Sequence, residues 1–209
     1  METKIIPSVI ASSQKELVEK IEKVMDFVDY IHLDIFDGVF VPNKSLDFDF
    51  RLPEDGPKFE AHLMIQSPDK WVRKNWQKVD TILAPIESCK HPKEIIDFLK
   101  DKKNFGFVLN PETELETIKK YLDQINQVLI MTVKPGFYGS EFLPETLEKV
   151  RDLRKIRPGL NVEVDGGINP ETIKKAKNAG ANLLVSGSYI MHSEDPKTAF
   201  NNLWQALEN

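Results

Sequence analysis

Short apolar runs alternate with longer amphipathic stretches along almost the whole chain. Eight of the runs are rich in β-branched and other apolar residues, as expected of strands buried on both faces of a parallel sheet. They cover residues 4–10, 30–35, 58–64, 81–86, 106–109, 127–133, 161–164 and 183–185. Strands that alternate with helices predict βα units, and eight such units indicate a closed barrel.

The stretches between the runs have apolar residues at three- and four-residue spacing, which predicts amphipathic helices. In the first, residues 14–27, Leu17 and Ile21 follow this spacing, and Ser12 or Ser13 can cap the helix. Further helices are predicted over residues 69–77, 92–100, 114–122, 144–156, 170–179 and 196–207. Each helix follows one strand, so we predict a single-domain (β/α)8 TIM barrel over residues 1–209.

The segment after the second strand departs from this pattern. Residues 43–57 include SLDFDFRLPEDG, which alternates with period two and then carries a turn signal. We therefore predict that the helix after the second strand is shortened or missing.

Composition narrows the class of partner. Apolar residues make up 41% of the chain and charged residues 29%, a balance typical of globular proteins. The formal charge of -5 provides no broad positive field, so we expect no nucleic-acid partner, and a phosphate group would have to be held locally.

Features of compartment and targeting favour a cytoplasmic protein. No apolar stretch reaches the length of a membrane span, and METKIIPSVIA lacks the basic lead and cleavage site of an export signal, so we expect no membrane partner. The single cysteine, Cys89, fits a reducing compartment and is interpreted as a buried thiol.

Histidine and aspartate residues lie near the carboxyl ends of three predicted strands. The second strand reads YIHLDIFDG, so His32 and Asp34 share one face; the third ends in AHLM with His62, and the seventh in VEVDGG with Asp165. Active sites of such barrels lie at this end. One such residue alone would be interpreted as a core residue or a helix cap. Four together predict a site for one divalent metal ion: Zn²⁺, Fe²⁺, Mn²⁺ or Co²⁺.

Glycine-rich segments follow the last three predicted strands: KPGFYGS, DGGINPE and SGS. Glycine allows the backbone to approach a ligand closely, and successive amides at a helix start bind anions. A single glycine loop would be interpreted as a turn. Three consecutive loops, at the position where barrels of this type bind phosphate, predict a phosphate site.

Six segments in order, PSVIAS, HLDIFDGVFVPN, HLMIQSPDKW, TVKPGFYGSEF, VEVDGGINPETI and LVSGS, resemble the ribulose-phosphate 3-epimerase family over nearly the whole chain. The resemblance implies a divalent metal ion and the interconversion of D-ribulose 5-phosphate and D-xylulose 5-phosphate in the pentose phosphate pathway. It also implies that the protein forms a homo-oligomer and that its small-molecule partner is a sugar phosphate.

The resemblance assigns roles residue by residue. His32, Asp34, His62 and Asp165 would bind the metal ion, and Asp34 and Asp165 would also act as acid and base. Epimerisation at C3 removes a proton from one face and returns one to the other, which two carboxylates on opposite sides can do. A metal ion on the ketone and hydroxyl oxygens would stabilise the ene-diolate. Substrate contacts are implied for Ser8, His62, Met64, Met131, Gly136, Gly139, Gly166, Gly167, Gly187 and Ser188.

Four residues depart from the family pattern and leave alternatives open. Phe36 replaces a usual methionine, Pro85 replaces a common histidine, and Lys134 and Ser140 alter the sixth loop. One alternative is an epimerase for another ketose phosphate, such as D-allulose 6-phosphate. Another is a non-catalytic paralogue that binds sugar phosphates. Barrels like orotidine-phosphate decarboxylase share the phosphate loops, but their lysine-bearing DxKxxD pattern is absent from the third strand.

Overall fold

A computed structural model describes residues 1–136 and 140–208, and its centre is a closed barrel of eight parallel strands. The barrel closes because β1 pairs with both the second and the last strand. This architecture confirms the predicted (β/α)8 TIM barrel. One further short strand, β3, pairs with β2 antiparallel outside the ring. The strands in chain order are β1 (Lys4–Val9), β2 (Tyr30–Asp37), β3 (Lys44–Ser45), β4 (Lys58–Met64), β5 (Thr81–Pro85), β6 (Asn104–Leu109), β7 (Gln127–Met131), β8 (Asn161–Asp165) and β9 (Leu183–Ser186).

Strand register brings the candidate residues to one height at the carboxyl end of the barrel. Parallel strands run in the same direction, so residues paired in register lie at a common level and their side chains share a face. The pairs that matter for the site are Ser8 with His32, Asp34 with His62, and Met131 with Asp165.

The strands are buried on both faces, as the continuous apolar runs predict. One apolar cluster, made of Leu83, Val108, Leu129, Met131 and Val133, combines residues of β5, β6, β7 and the turn after it. The largest apolar cluster combines strand residues with buried residues of the surrounding helices. Apolar packing therefore fixes the strand positions from which the site residues project.

Within the part of the chain that the structure describes, seven α-helices surround the barrel. Helix α1 begins after Ser13, whose hydroxyl accepts a hydrogen bond from the Glu16 amide, as predicted for a capping serine. No helix in the described ranges 1–136 and 140–208 is long and apolar enough to cross a membrane. The helices are α1 (Gln14–Glu22), α2 (Pro68–Asn75), α3 (Pro92–Leu99), α4 (Leu147–Ile156), α5 (Ile173–Ala179), α6 (Ser188–Met191) and α7 (Pro196–Glu208).

The prediction of a helix over residues 114–122 is wrong. Two separate 3₁₀ turns, Leu115–Thr117 and Lys119–Tyr121, occupy this stretch. The Thr117 hydroxyl donates a hydrogen bond of 2.7 Å to the Glu114 carbonyl, and such local bonds compete with a continuous helix. Ile118, one of the apolar residues in this spacing, is nevertheless fully buried.

The predicted loss of the helix after β2 is confirmed. Residues 38–57, all of which are described, contain β3 but no helix. The Ala11 amide donates to the Ser45 hydroxyl at 3.0 Å, and Phe50 is buried, so the segment packs against the barrel. It also crosses the barrel mouth, where the Asn43 side chain donates a hydrogen bond to the Gly136 carbonyl.

Cys89 is buried, and burial raises the pKa of its thiol to about 12, with a further increase from the Glu87 carboxylate. Because the thiolate is the reactive form, we expect native Cys89 to react with iodoacetamide about 10³-fold more slowly at pH 8 than the unfolded chain does. Mass spectrometry of timed samples, with and without guanidinium chloride, measures both rates. Equal rates would contradict the buried placement.

Candidate active site

Four side chains face one another at the carboxyl end of the barrel. His32 and Asp34 project from β2, His62 from β4 and Asp165 from β8, and all four are buried. One nitrogen or oxygen from each lies within 4.8 Å of those from the other three. The structure thus brings together the four residues predicted as metal ligands.

The spacing of the facing atoms matches a coordination shell. His32 Nε2 lies 3.3 Å from His62 Nδ1, 3.4 Å from Asp34 Oδ1 and 3.9 Å from Asp165 Oδ2. His62 Nδ1 lies 3.2 Å from Asp34 Oδ1 and 3.6 Å from Asp165 Oδ2. Four ligands at about 2.1 Å from a tetrahedral ion lie about 3.4 Å from one another. The cluster therefore has the size that a transition-metal ion requires.

The cluster contains buried polar atoms that the protein does not satisfy. Asp34 Oδ1 and His62 Nε2 are buried and make no hydrogen bond to any residue in the described ranges. A buried polar atom without a partner costs about 1–3 kcal/mol. A cation held between the two imidazoles and the two carboxylates would satisfy Asp34 Oδ1, and the mixed nitrogen and oxygen donors suit Zn²⁺, Fe²⁺, Mn²⁺ or Co²⁺.

The electrostatics of the cluster favour positive charge. Burial opposes a charged imidazole, yet the pKa of His32 is raised well above its usual value because the Asp34, Glu163 and Glu60 carboxyl groups face it. The pKa of His62 is raised against burial by Asp165 and Asp34. Burial likewise opposes a charged Asp34, but the two imidazoles hold its pKa below the usual range.

A second layer of polar residues lies behind His32, on the side away from the cluster. His32 Nδ1 lies 2.8 Å from Glu60 Oε1 and 3.2 Å from Glu163 Oε1. The Gln127 amide donates to Glu163 Oε2 and, at 3.4 Å, to Glu60 Oε2. Burial raises the pKa of Glu163 well above its usual value, and the neighbouring Glu60 carboxylate adds to the shift.

This second layer is absent from the residues predicted above, although the sequence contains a signal for it. Glu60 lies two residues before His62, and Glu163 two residues before Asp165. Because side chains alternate along a strand, each glutamate shares a face with a candidate ligand and points into the barrel. A charged residue inside an apolar run, in phase with a ligand, indicates a polar barrel interior.

A cavity of about 320 Å³ opens above the cluster, and Asp34 and Asp165 both line it. His32 and His62 are fully buried and are not among the described lining residues, so the cavity touches the carboxylates and not the imidazoles. Gly139 lies outside the described residues. The other residues predicted to contact substrate all line the cavity: Ser8, Met64, Met131, Gly136, Gly166, Gly167, Gly187 and Ser188.

The glycine loops enclose one side of this cavity. Gly166 and Gly167 have φ angles of 113° and 67°, which favour glycine. The Thr132 hydroxyl donates to the carbonyls of Asp165 at 2.9 Å and Gly166 at 2.6 Å, so the end of β7 holds the loop after β8 in place. This bracing keeps the loop amides beside the Asp165 carboxylate.

The positions that depart from the family pattern divide into two groups. Phe36 lines the cavity and packs with Met64 and Val41, and Ser140 also lines it. Pro85 and Lys134 are not among the described lining residues. Any effect on the shape of the cavity therefore comes first from Phe36, which places a rigid ring beside the carboxylates.

Comparisons with known proteins find relatives that match nearly the whole chain. The model of the ribulose-phosphate 3-epimerase family matches residues 4–191. The ribulose-phosphate 3-epimerase of Methanocaldococcus jannaschii is 38% identical, across 97% of this chain and 90% of that protein. The cytoplasmic isoform from Oryza sativa is 35% identical, across 98% and 94%. The Schizosaccharomyces pombe enzyme is 32% identical, across 97% and 93%.

Solved structures share the fold at lower identity. The 3-keto-L-gulonate-6-phosphate decarboxylase of Vibrio cholerae superposes with a TM-score of 0.70 at 13% identity, covering 100% of this chain and 98% of that one. The orotidine 5'-phosphate decarboxylase of Pyrococcus horikoshii gives 0.67 at 14% identity, covering 98% and 99%. At such identities the likeness establishes the barrel alone.

Proposed function

The chain belongs to the ribulose-phosphate 3-epimerase family, and we propose that it is a metal-dependent enzyme that interconverts D-ribulose 5-phosphate and D-xylulose 5-phosphate. One observation carries the mechanistic part of the proposal. Asp34 and Asp165 belong to the same buried cluster as the two imidazoles, and both also line the cavity. The same two carboxylates can therefore meet a metal ion and a substrate.

The positions of the two carboxylates support a two-base mechanism. Asp34 lies on β2 and Asp165 on β8, which are separated in the barrel by β1 and β9, so they approach the cavity from different directions. Each turns one oxygen towards the His62 imidazole, and we assign its other oxygen to the substrate. One aspartate, as the carboxylate, removes the C3 proton from one face of the sugar, and the other, protonated as the carboxylic acid, delivers its proton to the opposite face. The roles exchange in the reverse reaction.

His32, Asp34, His62 and Asp165 are the residues that would hold the metal ion. When bound there, a divalent cation supplies Lewis-acid stabilisation of the negative charge that develops on the ketone and hydroxyl oxygens of the substrate. The lowered pKa of Asp34 keeps its carboxylate ionised at neutral pH, ready to accept a proton.

The remaining cavity residues suit a sugar phosphate. We assign the phosphate group to the backbone around Gly136, Gly166, Gly167, Gly187 and Ser188, which all line the cavity and have small side chains or none to obstruct a ligand. Ser8, Met64 and Met131 are assigned to the sugar, with the serine hydroxyl available for a hydrogen bond and the methionines as apolar walls.

A coupled epimerisation assay tests this proposal. The metal-loaded enzyme, reconstituted separately with Zn²⁺, Mn²⁺ and Co²⁺, is expected to convert D-ribulose 5-phosphate, and the chelated enzyme is expected to lose at least 10²-fold in kcat, with recovery on adding the metal back. D-Allulose 6-phosphate is run in parallel and is expected to react more slowly. Turnover of neither sugar by any metal-loaded form would favour a non-catalytic paralogue.

The proposal also covers the domain organisation, the cellular location and the oligomeric state of the protein. A single domain over residues 1–209 is supported by α7, which packs back against β1 and α5. A cytoplasmic location is supported by the name of the rice relative. A homo-oligomer is the assignment that the family resemblance favours, and light scattering on a size-exclusion column measures the molecular mass that decides it.

A further inference from the structure

We propose that Glu60 and Glu163 are positioning residues that hold the His32 imidazole with its proton on Nδ1, so that Nε2 is free to bind the metal ion. The proposal rests on the metal-dependent function above and deepens it. Both glutamates contact the Nδ1 edge of the His32 ring, which is opposite the edge that faces the other three ligands.

The two nitrogens of His32 have different surroundings. Nε2 faces the cluster, 3.4 Å from Asp34 Oδ1 and 3.3 Å from His62 Nδ1. Nδ1 faces the glutamates, 2.8 Å from Glu60 Oε1. An imidazole that binds a metal ion through Nε2 carries its one proton on Nδ1, and the Glu60 carboxylate, at the shorter distance, is placed to accept that proton.

Two carboxyl oxygens converge on the same nitrogen, although one is sufficient to accept its proton. The hydrogen bond of 2.8 Å goes to Glu60. Glu163 Oε1 lies 3.2 Å from Nδ1, is buried, and has no hydrogen-bond partner among the residues that the structure describes. Glu163 is therefore within reach of the Nδ1 proton if Glu60 is removed. The arrangement predicts that the two glutamates overlap in function.

Gln127 fixes the orientation of both glutamates. Its amide donates to Oε2 of Glu163 and, at 3.4 Å, to Oε2 of Glu60, which leaves the Oε1 atom of each turned towards His32. All three side chains are 4% exposed or less, so these bonds lie in the buried interior of the barrel. Burying three polar side chains costs more free energy than burying apolar side chains in the same space. Their role in fixing the orientation and tautomer of His32 explains why they are present.

The experiment measures Co²⁺ affinity and the His32 tautomer, neither of which requires turnover. Glu60→Leu, Glu163→Leu, the double variant and Glu60→Gln are titrated with Co²⁺ and followed by visible absorption. We expect Glu60→Leu to weaken binding about 10-fold and the double variant about 100-fold, more than the two single losses combined. Glu60→Gln, whose amide oxygen still accepts the Nδ1 proton, should stay closer to wild type than Glu60→Leu does.

Nitrogen-15 NMR of the four histidines reports the tautomer directly. At a pH high enough for the metal-free His32 ring to be neutral, the double variant should lose the preference for Nδ1 protonation, whereas Thr81→Val should keep both the tautomer and the Co²⁺ affinity. Thr81 is a matched control because it is buried at the same level of the barrel, paired in register with Glu60. Thermal unfolding of each metal-free variant separates loss of fold from loss of affinity.

Each outcome decides the inference. The inference would be overturned if Glu60→Leu and the double variant both kept wild-type Co²⁺ affinity and an unchanged His32 tautomer. If the double variant does not fold, equal Co²⁺ affinities in Glu60→Leu and Glu60→Gln would overturn the inference. Loss of stability without any change in Co²⁺ affinity would also overturn it, since the network would then be structural only. Failure of the wild-type protein to bind Co²⁺ would instead refute the proposed metal-dependent function.

Discussion

Asp34→Asn and Asp165→Asn are each expected to lower kcat for D-ribulose 5-phosphate by at least about 10³-fold. Asparagine has nearly the same shape and keeps an oxygen for the metal ion, but an amide cannot accept the proton taken from C3. Epimerisation requires a base on one face of the sugar and an acid on the other, and an amide can serve as neither, so either substitution alone interrupts it. The coupled assay measures kcat, and metal content is determined on the same samples.

Two comparisons make this prediction specific. Asp152→Asn removes a carboxylate from the exposed face of α4, where it pairs only with Lys155 among the described residues, and should leave kcat within about twofold of wild type. The double variant Asp34→Asn with Asp165→Asn should be no slower than the slower single variant, because residues that act as a unit are not additive. A single variant that retains a tenth of wild-type kcat at full metal occupancy would refute the assigned role of that aspartate.

Gly166→Ala is expected to lower the free energy of unfolding by about 3–5 kcal/mol, combining backbone strain and overpacking. Gly166 has a φ of 113°, and an added Cβ would lie 2.3 Å from Val133 Cγ2 and within 3 Å of two further Val133 atoms. Val133 is buried and β-branched, so it has few rotamers with which to move aside. Urea denaturation followed by circular dichroism measures the loss.

Gly159→Ala is the matched control for this prediction. An added Cβ at Gly159 meets no atom of the described chain within 4 Å, and its φ lies outside the range that favours glycine. The free energy of unfolding should therefore change by less than about 1 kcal/mol. Val133→Ala introduced together with Gly166→Ala should recover part of the loss. Equal effects at the two glycines would show that close packing does not determine the loop at Gly166.

The barrel was predictable because its signal is periodic and repeated. Eight apolar runs and the helices between them follow from spacing alone, and closure follows from their number. Short elements are less predictable. Helix α6 has four residues, fewer than two helical turns, so it carries no usable period, and the stretch around Ile118 has helical spacing but lacks a continuous helix because Thr117 bonds locally.

The four-residue cluster was predictable from strand phase. His32 and Asp34 lie two residues apart, and His62 and Asp165 lie at strand ends that only barrel closure brings together. For the layer behind His32, strand phase indicates that Glu60 and Glu163 point into the barrel, but it does not indicate that Gln127 joins them. Glu60 and Gln127 are 67 positions apart, and each lies in a strand that otherwise appears apolar, so their meeting depends on register that the sequence pattern does not contain.

The same limit applies to the barrel mouth. The Asn43 side chain contacts the Gly136 carbonyl across 93 positions of sequence. Spacing indicates that the segment after β2 lacks a helix, but it does not indicate where the segment lies once the helix is absent. Tertiary packing, through Phe50 and the Ser45 hydroxyl, determines that it covers the cavity.

Solvent-deuterium incorporation tests the two-carboxylate mechanism most directly. Metal-loaded enzyme converts D-ribulose 5-phosphate in D₂O, and NMR follows C3 of substrate and product early in the reaction. Proton removal by one carboxylate and delivery by the other predicts that each D-xylulose 5-phosphate molecule carries deuterium at C3, while the remaining substrate is largely unlabelled. Product that retains the original C3 hydrogen would contradict the account, because a single group would then carry the proton across the sugar.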